Sequence, residues 1–454
     1  MKDIKDLHHH TVSLRHGGKI VVIDSGATLN AEATAMLQAL HSRSTEGIDG
    51  HLKVLAERGP EKFMSTYYVQ YGHKSIGDCG TAVVFIEGIS MLAAKAIQDS
   101  RLYNGQEAST RYIDFARQPF LNPLGSEAGV TAQETWRSFY LEAVQTMKEA
   151  LPERYPRQES EKETTYEKAI TARAFDICRG FLPAGASTNI AWSTTLRQFG
   201  DRIMELRHHP LAEVREISTA LEDALIAAYP NSFDATKKRY EHTEAYLDTA
   251  YAEYYYHDPT SPALALVHDG IDHASLATYQ TLLTERPIKT ELPKWLAAYG
   301  TASFAFTLDF GSFRDIQRHR AVTQRMPLLT TELGFHDWYL DELTDDLRER
   351  AIALLAEQAE ISATLTDDDA LRQYYLPMGY NISNYLTGDL SALVYLVELR
   401  ASSLVHPTLA TRAAEMAELL TQQYGALGLQ LHLDPEPGRF NVKRGEADII
   451  KRDN

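Results

Sequence analysis

The sequence predicts an α+β protein, mostly helical, in which one small-sheet unit is written twice along 454 residues. Three observations carry this expectation. Apolar residues recur over long stretches at the 3.6-residue spacing of core-facing helices. Short β-branched and aromatic runs are few and lie far apart. Several residue groups also return in the same order in the two halves of the chain, as an old duplication would leave them.

Taken in order, helices are predicted over 31–43, over 60–71 leading to a turn at Gly72, over 90–100, 131–151 and 211–228. In the second half, 340–364 and 408–425 match the last two. Strand-like runs lie at 19–23, 81–86, 108–115 and 302–310. The polar, tyrosine-rich stretch 231–259 loses helical periodicity and marks a seam, and the chain from 434 on reads as a loose tail.

The repeated groups are specific. Gly80-Thr81-Ala82 precedes Ile97-Gln98-x-x-Arg101, and Gly300-Thr301-Ala302 precedes Ile316-Gln317-x-x-Arg320. Leu182-Pro183 leads to Leu206-Arg207 and then His209-Pro210. Leu376-Pro377 leads to Leu399-Arg400 and then His406-Pro407. The expected division is a first unit over 1–240, a second over 241–433 and the tail over 434–454.

Composition narrows the function. Hydrophobic content of 44% and charged content of 24% suit a globular chain with a full core. A net charge of −17 argues against a broad basic face for nucleic acid, although a few buried arginines can still hold a phosphate locally. The two cysteines, Cys79 and Cys178, make neither a disulfide framework nor a thiolate metal site, and both read as small core residues. The histidine runs at 8–10 and 208–209 lack further ligands at metal-binding spacing, so no metal is expected. No apolar stretch reaches the roughly 20 residues of a membrane helix. A soluble, cytoplasmic protein follows as the expectation.

Two short patterns carry chemistry. Arg318-His319-Arg320 packs two cations around an imidazole, which persists where an anion offsets their repulsion. On a helix the two arginines would point apart, toward different ligands. Alone, the triplet is equally well a solvated basic turn. In the run 106–112, Glu107, Ser109 and Arg111 alternate, and in an extended chain all three would share one face. A hydroxyl beside a guanidinium suits a phosphate, though a plain polar strand edge would look the same.

With their surroundings these patterns resemble the flavin-dependent thymidylate synthase family. That family pairs Gly-His-x-Ser with a downstream Arg-His-Arg, a seven-residue spacer, and a closing Ser-x-Arg-Tyr. The front half has Gly72-His73-Lys74-Ser75, then Arg101 in the place of the last triplet arginine, then Ser109, Arg111 and Tyr112. Its other triplet positions are Asp99 and Ser100. The back half keeps the triplet but has Leu328 where the serine belongs and no Gly-His-x-Ser. A second family segment follows in front: Arg179, Leu182-Pro183, Thr188, Trp192, Arg197 and Leu206-Arg207, with Thr195 in place of the family's asparagine. Behind, Gln373 replaces the first arginine of that segment and Arg400 keeps the last.

The resemblance implies two tandem, divergent units of that family. It implies that His73, Arg318, His319 and Arg320 bind FAD. It implies that Glu107, Ser109, Arg111, Arg179 and Arg207 bind the nucleotide, with Ser109, Arg179 and Arg207 serving catalysis. The implied reaction converts dUMP to dTMP with methylenetetrahydrofolate and NADPH, in a homodimer whose two chains supply four units. Two alternatives stay open: the same chemistry on another pyrimidine nucleotide such as UMP, and a non-catalytic nucleotide-binding scaffold.

Overall fold

The computed structural model describes residues 9–23, 29–43, 47–233 and 241–434. The chain forms two compact units, one of Met1–Ser109 with Ser187–Tyr254 and one of Thr110–Ala186 with Tyr255–Asn454. The architecture is α+β, with one antiparallel sheet in each unit. The segment 110–186, though it comes from the front half of the sequence, is therefore built into the second unit.

The first unit has five strands: β1 (His9–Ser13), β2 (Lys19–Ile23), β3 (Thr81–Ser90), β4 (Asn104–Glu107) and β5 (Ser187–Thr195), in the order β1-β2-β3-β5-β4. Strand alternation gives the sheet one apolar face. Val84 of β3 lies between Val22 and Trp192, and Ile86 lies between Ile20 and Ile190; all six are buried. The helix Ala212–Ala228 packs on β1 and β2. It buries Val214, Ile217, Leu221, Ala224 and Leu225, the i, i+3, i+4 stripe that its sequence predicts.

The second unit has four strands: β6 (Leu264–Asp269), β7 (Ala302–Asp309), β8 (Thr323–Gln324) and β9 (Asn381–Gly388), in the order β6-β7-β9-β8. This is the order β2-β3-β5-β4 of the first unit. In both, a helix follows the second strand of that series (Met91–Gln98 and Phe310–Ile316) and two follow the third. The long helix Glu127–Arg154 begins at Ser126, whose side chain accepts from Gly129 N, and packs on Glu163–Cys178 and Asp345–Leu365.

Within the second unit the two Leu-Pro elements meet each other. Pro183 and Pro377 form an antiparallel bridge. Ala184 N donates to Leu376 O and Met378 N to Leu182 O, both at 2.9 Å. Gly185 N donates to Tyr374 O at 3.1 Å and Gly379 N to Gly180 O at 2.7 Å. Each pair of bonds exchanges equivalent residues of the repeat, as a local two-fold axis requires.

Several expectations are corrected. Residues 108–115 are not a strand: β4 ends at Glu107, and Thr110–Tyr112 is a 3-10 turn, so Glu107, Ser109 and Arg111 do not alternate on one face. The seam stretch contains a helix, Glu241–Ala252. The helix expected over 60–71 is α-helical only at Glu61–Phe63 and continues as a π-helix at Met64–Gln70. Strands β1, β4, β5, β6, β8 and β9 were not foreseen. The expected tail falls, from 435 on, outside the described residues.

The junction of the two Leu-Pro elements, 180–185 against 374–379, forms the seam of the second unit and is sterically closed at Gly185. A Cβ there would lie 2.5 Å from Tyr374 O and 2.9 Å from Leu121 O, both backbone atoms. Gly185→Ala should cost about 1–3 kcal/mol by overpacking, read from the urea midpoint. Gly200→Ala, whose Cβ would meet nothing nearer than 3.9 Å in a helix, should be neutral or stabilising. Equal effects of the two substitutions would contradict the seam's rigidity.

Candidate functional site

The triplet sits where the helix Phe310–Ile316 gives out. Asp309 caps its start by accepting from Ser312 N at 2.8 Å, and Gln317 ends it. The chain then turns, His319 N reaching Ile316 O at 3.1 Å and Val322 N reaching His319 O at 3.3 Å. The triplet is thus in a turn, not on a helix as its spacing suggested. The turn leaves Arg318 and Arg320 exposed and buries His319 between them.

A cavity of about 270 Å³ opens on this turn, lined by Arg318, His319 and Arg320 together with Tyr395, Leu399 and Arg400. Arg400 ends the helix Leu390–Arg400. Its Nε donates to His319 Nε2 at 2.7 Å, and its Nη2 donates to Asp315 O at 2.8 Å. Burial, and then the Arg400 charge, push the His319 imidazole down to about 3 against a weaker opposing pull from Asp315. Burial would push the Asp315 carboxyl up, but Arg318, Arg179, Arg400 and Arg314 together hold it below the usual carboxylate range. Arg318, Arg320 and Arg400 on the wall give the cavity a cationic lining, suited to an anion. Sequence reading noted Arg400 as retained but did not place it in the site; the repeated Leu-Arg pair was the available signal. Asp315 and Tyr395 carried no sequence signal.

Other expected site residues are placed as follows. Arg179 opens the 3-10 turn Arg179–Phe181 and is buried in the second unit. Its Nη2 donates to Ser312 Oγ at 2.8 Å, on the very helix that ends in the triplet, and its Nε lies 3.5 Å from Tyr339 Oη. Arg111 grips Asp176 with Nε and Nη2, at 2.9–3.0 Å to Oδ1. The second unit therefore brings Arg111, Arg179 and the triplet into one body. Tyr112, beside Arg111, lies on the wall of a second cavity of about 580 Å³ with Phe115, Tyr140, Lys148 and Phe175.

The rest lie in the first unit. His73 is exposed ahead of the helix Lys74–Gly77, its ring 6.4 Å from that of Tyr71. Ser109 is exposed. Arg207 ends the helix Leu196–Leu206 and pairs with Glu222. Glu107 is paired with Lys95 at 2.6 Å, both side chains fully buried, and also accepts from Gln98 at 2.9 Å. Among the described residues no cluster of three or more histidine, cysteine or acidic side chains is placed to hold a metal ion, and no helix is long and apolar enough to cross a membrane.

Two outcomes follow for stability. Glu107→Ala leaves Lys95 charged and buried, so it should cost about 3–5 kcal/mol, whereas Lys95→Met with Glu107→Leu should recover most of that. Urea unfolding of the three proteins checks this, and a mild single-variant effect would free Glu107 for a substrate role. The second outcome concerns pH. His209, by burial and then Arg202 and Arg215, and His319 are both depressed to about 3 from an ordinary 6.5. The unfolded chain then binds more protons between those values, so stability is full above about pH 6.5 and falls as pH drops. Each histidine should account for about 2 kcal/mol between pH 7 and pH 5. His209→Asn and His319→Asn should each flatten the measured pH dependence by that amount.

The family model for thymidylate synthase complementing protein matches residues 25–231, which stop short of the triplet. A UPF0159 protein of Chlamydia muridarum is 26% identical, over 78% of this chain and 78% of its own length. A UPF0159 protein of Chlamydia pneumoniae is 24% identical, over 76% and 75%. A UPF0159 protein of Thermoplasma acidophilum is 21% identical, over 95% and 99%. Similarity to these relatives thus runs through both halves of the chain, and similarity to the thymidylate synthase complementing protein model covers residues 25–231.

Proposed function

We propose that the chain is a flavin-dependent thymidylate synthase that methylates dUMP to dTMP, with methylenetetrahydrofolate as carbon donor and NADPH as reductant. The family match supports a role in thymidylate synthesis. The observation that carries the finer reading is the cavity that gathers Arg318, His319, Arg320 and Arg400. Its cationic wall fits the anionic ring system and phosphates of FAD. At about 270 Å³ it falls at or below the small end of ligand pockets (roughly 300–1,000 Å³), so it takes one part of that cofactor. Bound FAD supplies the hydride that turns the transferred one-carbon unit into a methyl group.

The protein's own contribution is electrostatic. Arg318 and Arg320 hold negative charge at the cavity, and His319 offers a hydrogen bond between them. Arg111 and Ser109 are the members of the expected nucleotide grip with exposure to a ligand, and Arg179 braces the helix behind the triplet. We further propose that 1–240 and 241–433 are the two copies of an ancestral unit. The shared strand order and the reciprocal bonds at Pro183 and Pro377 support this. A cytoplasmic homodimer with four copies is then the natural assembly.

A second reading draws on a specific observation: Glu107, Arg111, Arg179 and Arg207 all have partners inside the protein. That favours a different pyrimidine nucleotide, or binding without turnover. Purified protein should be yellow, bind about one FAD per chain, bind dUMP in calorimetry, and scatter light as a dimer. Arg318→Ala, by removing a charge-assisted contact of about 1.5–3 kcal/mol, should weaken FAD binding roughly 10- to 100-fold. Methyl transfer assayed on dUMP, UMP and dCMP side by side decides the substrate. Failure to rescue a thymidine-requiring strain, with FAD binding intact, would favour the scaffold, and a colourless protein that binds neither ligand overturns both readings.

A further inference from the structure

We propose that Arg400 is a positioning residue that fixes His319 as the neutral tautomer protonated on Nδ1. The cavity then presents one uncharged N–H donor between the guanidinium groups of Arg318 and Arg320. The inference rests on the functional reading above only in taking this cavity as the working site.

A guanidinium stays protonated and has no acceptor. The 2.7 Å contact from Arg400 Nε to His319 Nε2 therefore has a single direction, with Arg400 donating. Nε2 must offer its lone pair, and the ring hydrogen sits on Nδ1. Protonating the ring would set N–H against N–H. Arg400 cannot swing away without loss, because Nη2 is tied to Asp315 O in the last turn of the helix Phe310–Ile316, where carbonyls lack intrahelical partners. Among the described residues Nδ1 has no hydrogen-bond partner, and His319 lines the cavity, so this donor serves whatever binds there.

The groups around the imidazole agree. From the helix Leu390–Arg400 come the Arg400 charge and the Tyr395 ring, 5.9 Å from it between centroids. From its own segment come Arg318 and Arg320 on either side, and Asp315. Asp315 favours a charged imidazole, but its carboxylate lies 3.8 Å from Arg318 and is set among four arginines. A further cation at position 319 is disfavoured on every side but one.

The first unit makes a related bond from a different arginine: Arg202, not the Arg207 that the repeat aligns with Arg400, donates to Ala96 O at 2.9 Å, in the last turn of the helix Met91–Gln98. The repeat aligns Ala96 with Asp315, while Asp99 and Ser100 stand where Arg318 and His319 do. Bonding the carbonyl is thus common to both units, and the donor is special to the second. A neutral donor between two fixed cations suits a delocalised anion that also carries an acceptor, and its charge pattern holds constant through the neutral range.

The test is a long-range ¹H–¹⁵N correlation spectrum of full-length protein labelled at histidine, with His319→Asn to assign the signal. The expected result is a proton on Nδ1, with no titration from pH 8 to pH 5. Arg400→Leu should move the His319 midpoint up from about 3 but leave it short of the ordinary value, because burial, the larger cause of the depression, remains. Arg400→Gln, whose side-chain amide can accept as well as donate, should release the fixed tautomer and give a mixture. A proton on Nε2 in the wild type, a wild-type midpoint between pH 5 and 8, or an unchanged tautomer in Arg400→Gln would each overturn the proposal. The spectrum needs no flavin, so a protein that fails to bind FAD would defeat the functional reading and leave the tautomer result standing.

Discussion

The reciprocal hydrogen bonds between 180–185 and 374–379 are the constraint on which the second unit depends. They fix equivalent Leu-Pro elements against each other with four backbone bonds. The same segment also sets the triplet. Gly311 N donates to Met378 O at 2.8 Å and Phe310 N to Tyr380 O at 3.1 Å, so the start of the helix Phe310–Ile316 is anchored on the seam. Arg179, one residue before Gly180 of the seam, bonds Ser312 in that helix. Position is thus passed from the seam through a two-turn helix to Arg318, His319 and Arg320. A short helix held at its first turn is a stiff lever, since its own ladder allows little bending over so few residues.

Charge distinguishes the two units at this turn. In the first unit Asp99 is half-buried near Arg202, whose charge partly offsets the upward push of burial on its carboxyl. In the second unit the corresponding position is Arg318, and the arginine of the neighbouring helix end meets a histidine. Replacing an acid by a base at one position changes the local balance by two charges. The result is a cationic cavity in one copy and an internally balanced cluster in the other. The fold can bear such a difference because the sheet and its covering helices bury the core independently of these turns.

Legibility in the sequence followed the physics of each element. Helices such as Ala31–His41, Ala212–Ala228 and Pro407–Tyr424 were predicted nearly to their ends, because a one-sided apolar stripe is a long, redundant signal. Strands β5 and β9 were not, since Ser187–Thr195 and Asn381–Gly388 are rich in small polar residues that their neighbours cover. The repeat pairing was legible as well, but not that it would be exchanged through the seam, because no local pattern encodes a contact nearly two hundred residues long. In the site, the triplet was legible as residue types. Its turn geometry was not, and neither was the bond from Arg400, which depends on where two helices end.

The internal partners of the expected nucleotide grip differ in what a ligand would have to displace. Arg111 pairs with Asp176 through two parallel donors, and its side chain remains 27% exposed. A phosphate offers the same bidentate geometry as a carboxylate, so exchange of one for the other conserves the bonding. Arg179 is different. It is 8% exposed, and with the Asp309 carboxylate fully buried nearby, withdrawing its charge toward a ligand would remove one of the groups, after His406, that hold that acid below the usual carboxylate range. Desolvation therefore divides the two arginines: the Arg111 pair stays within reach of solvent, and the Arg179 guanidinium is committed to the helix beneath the triplet.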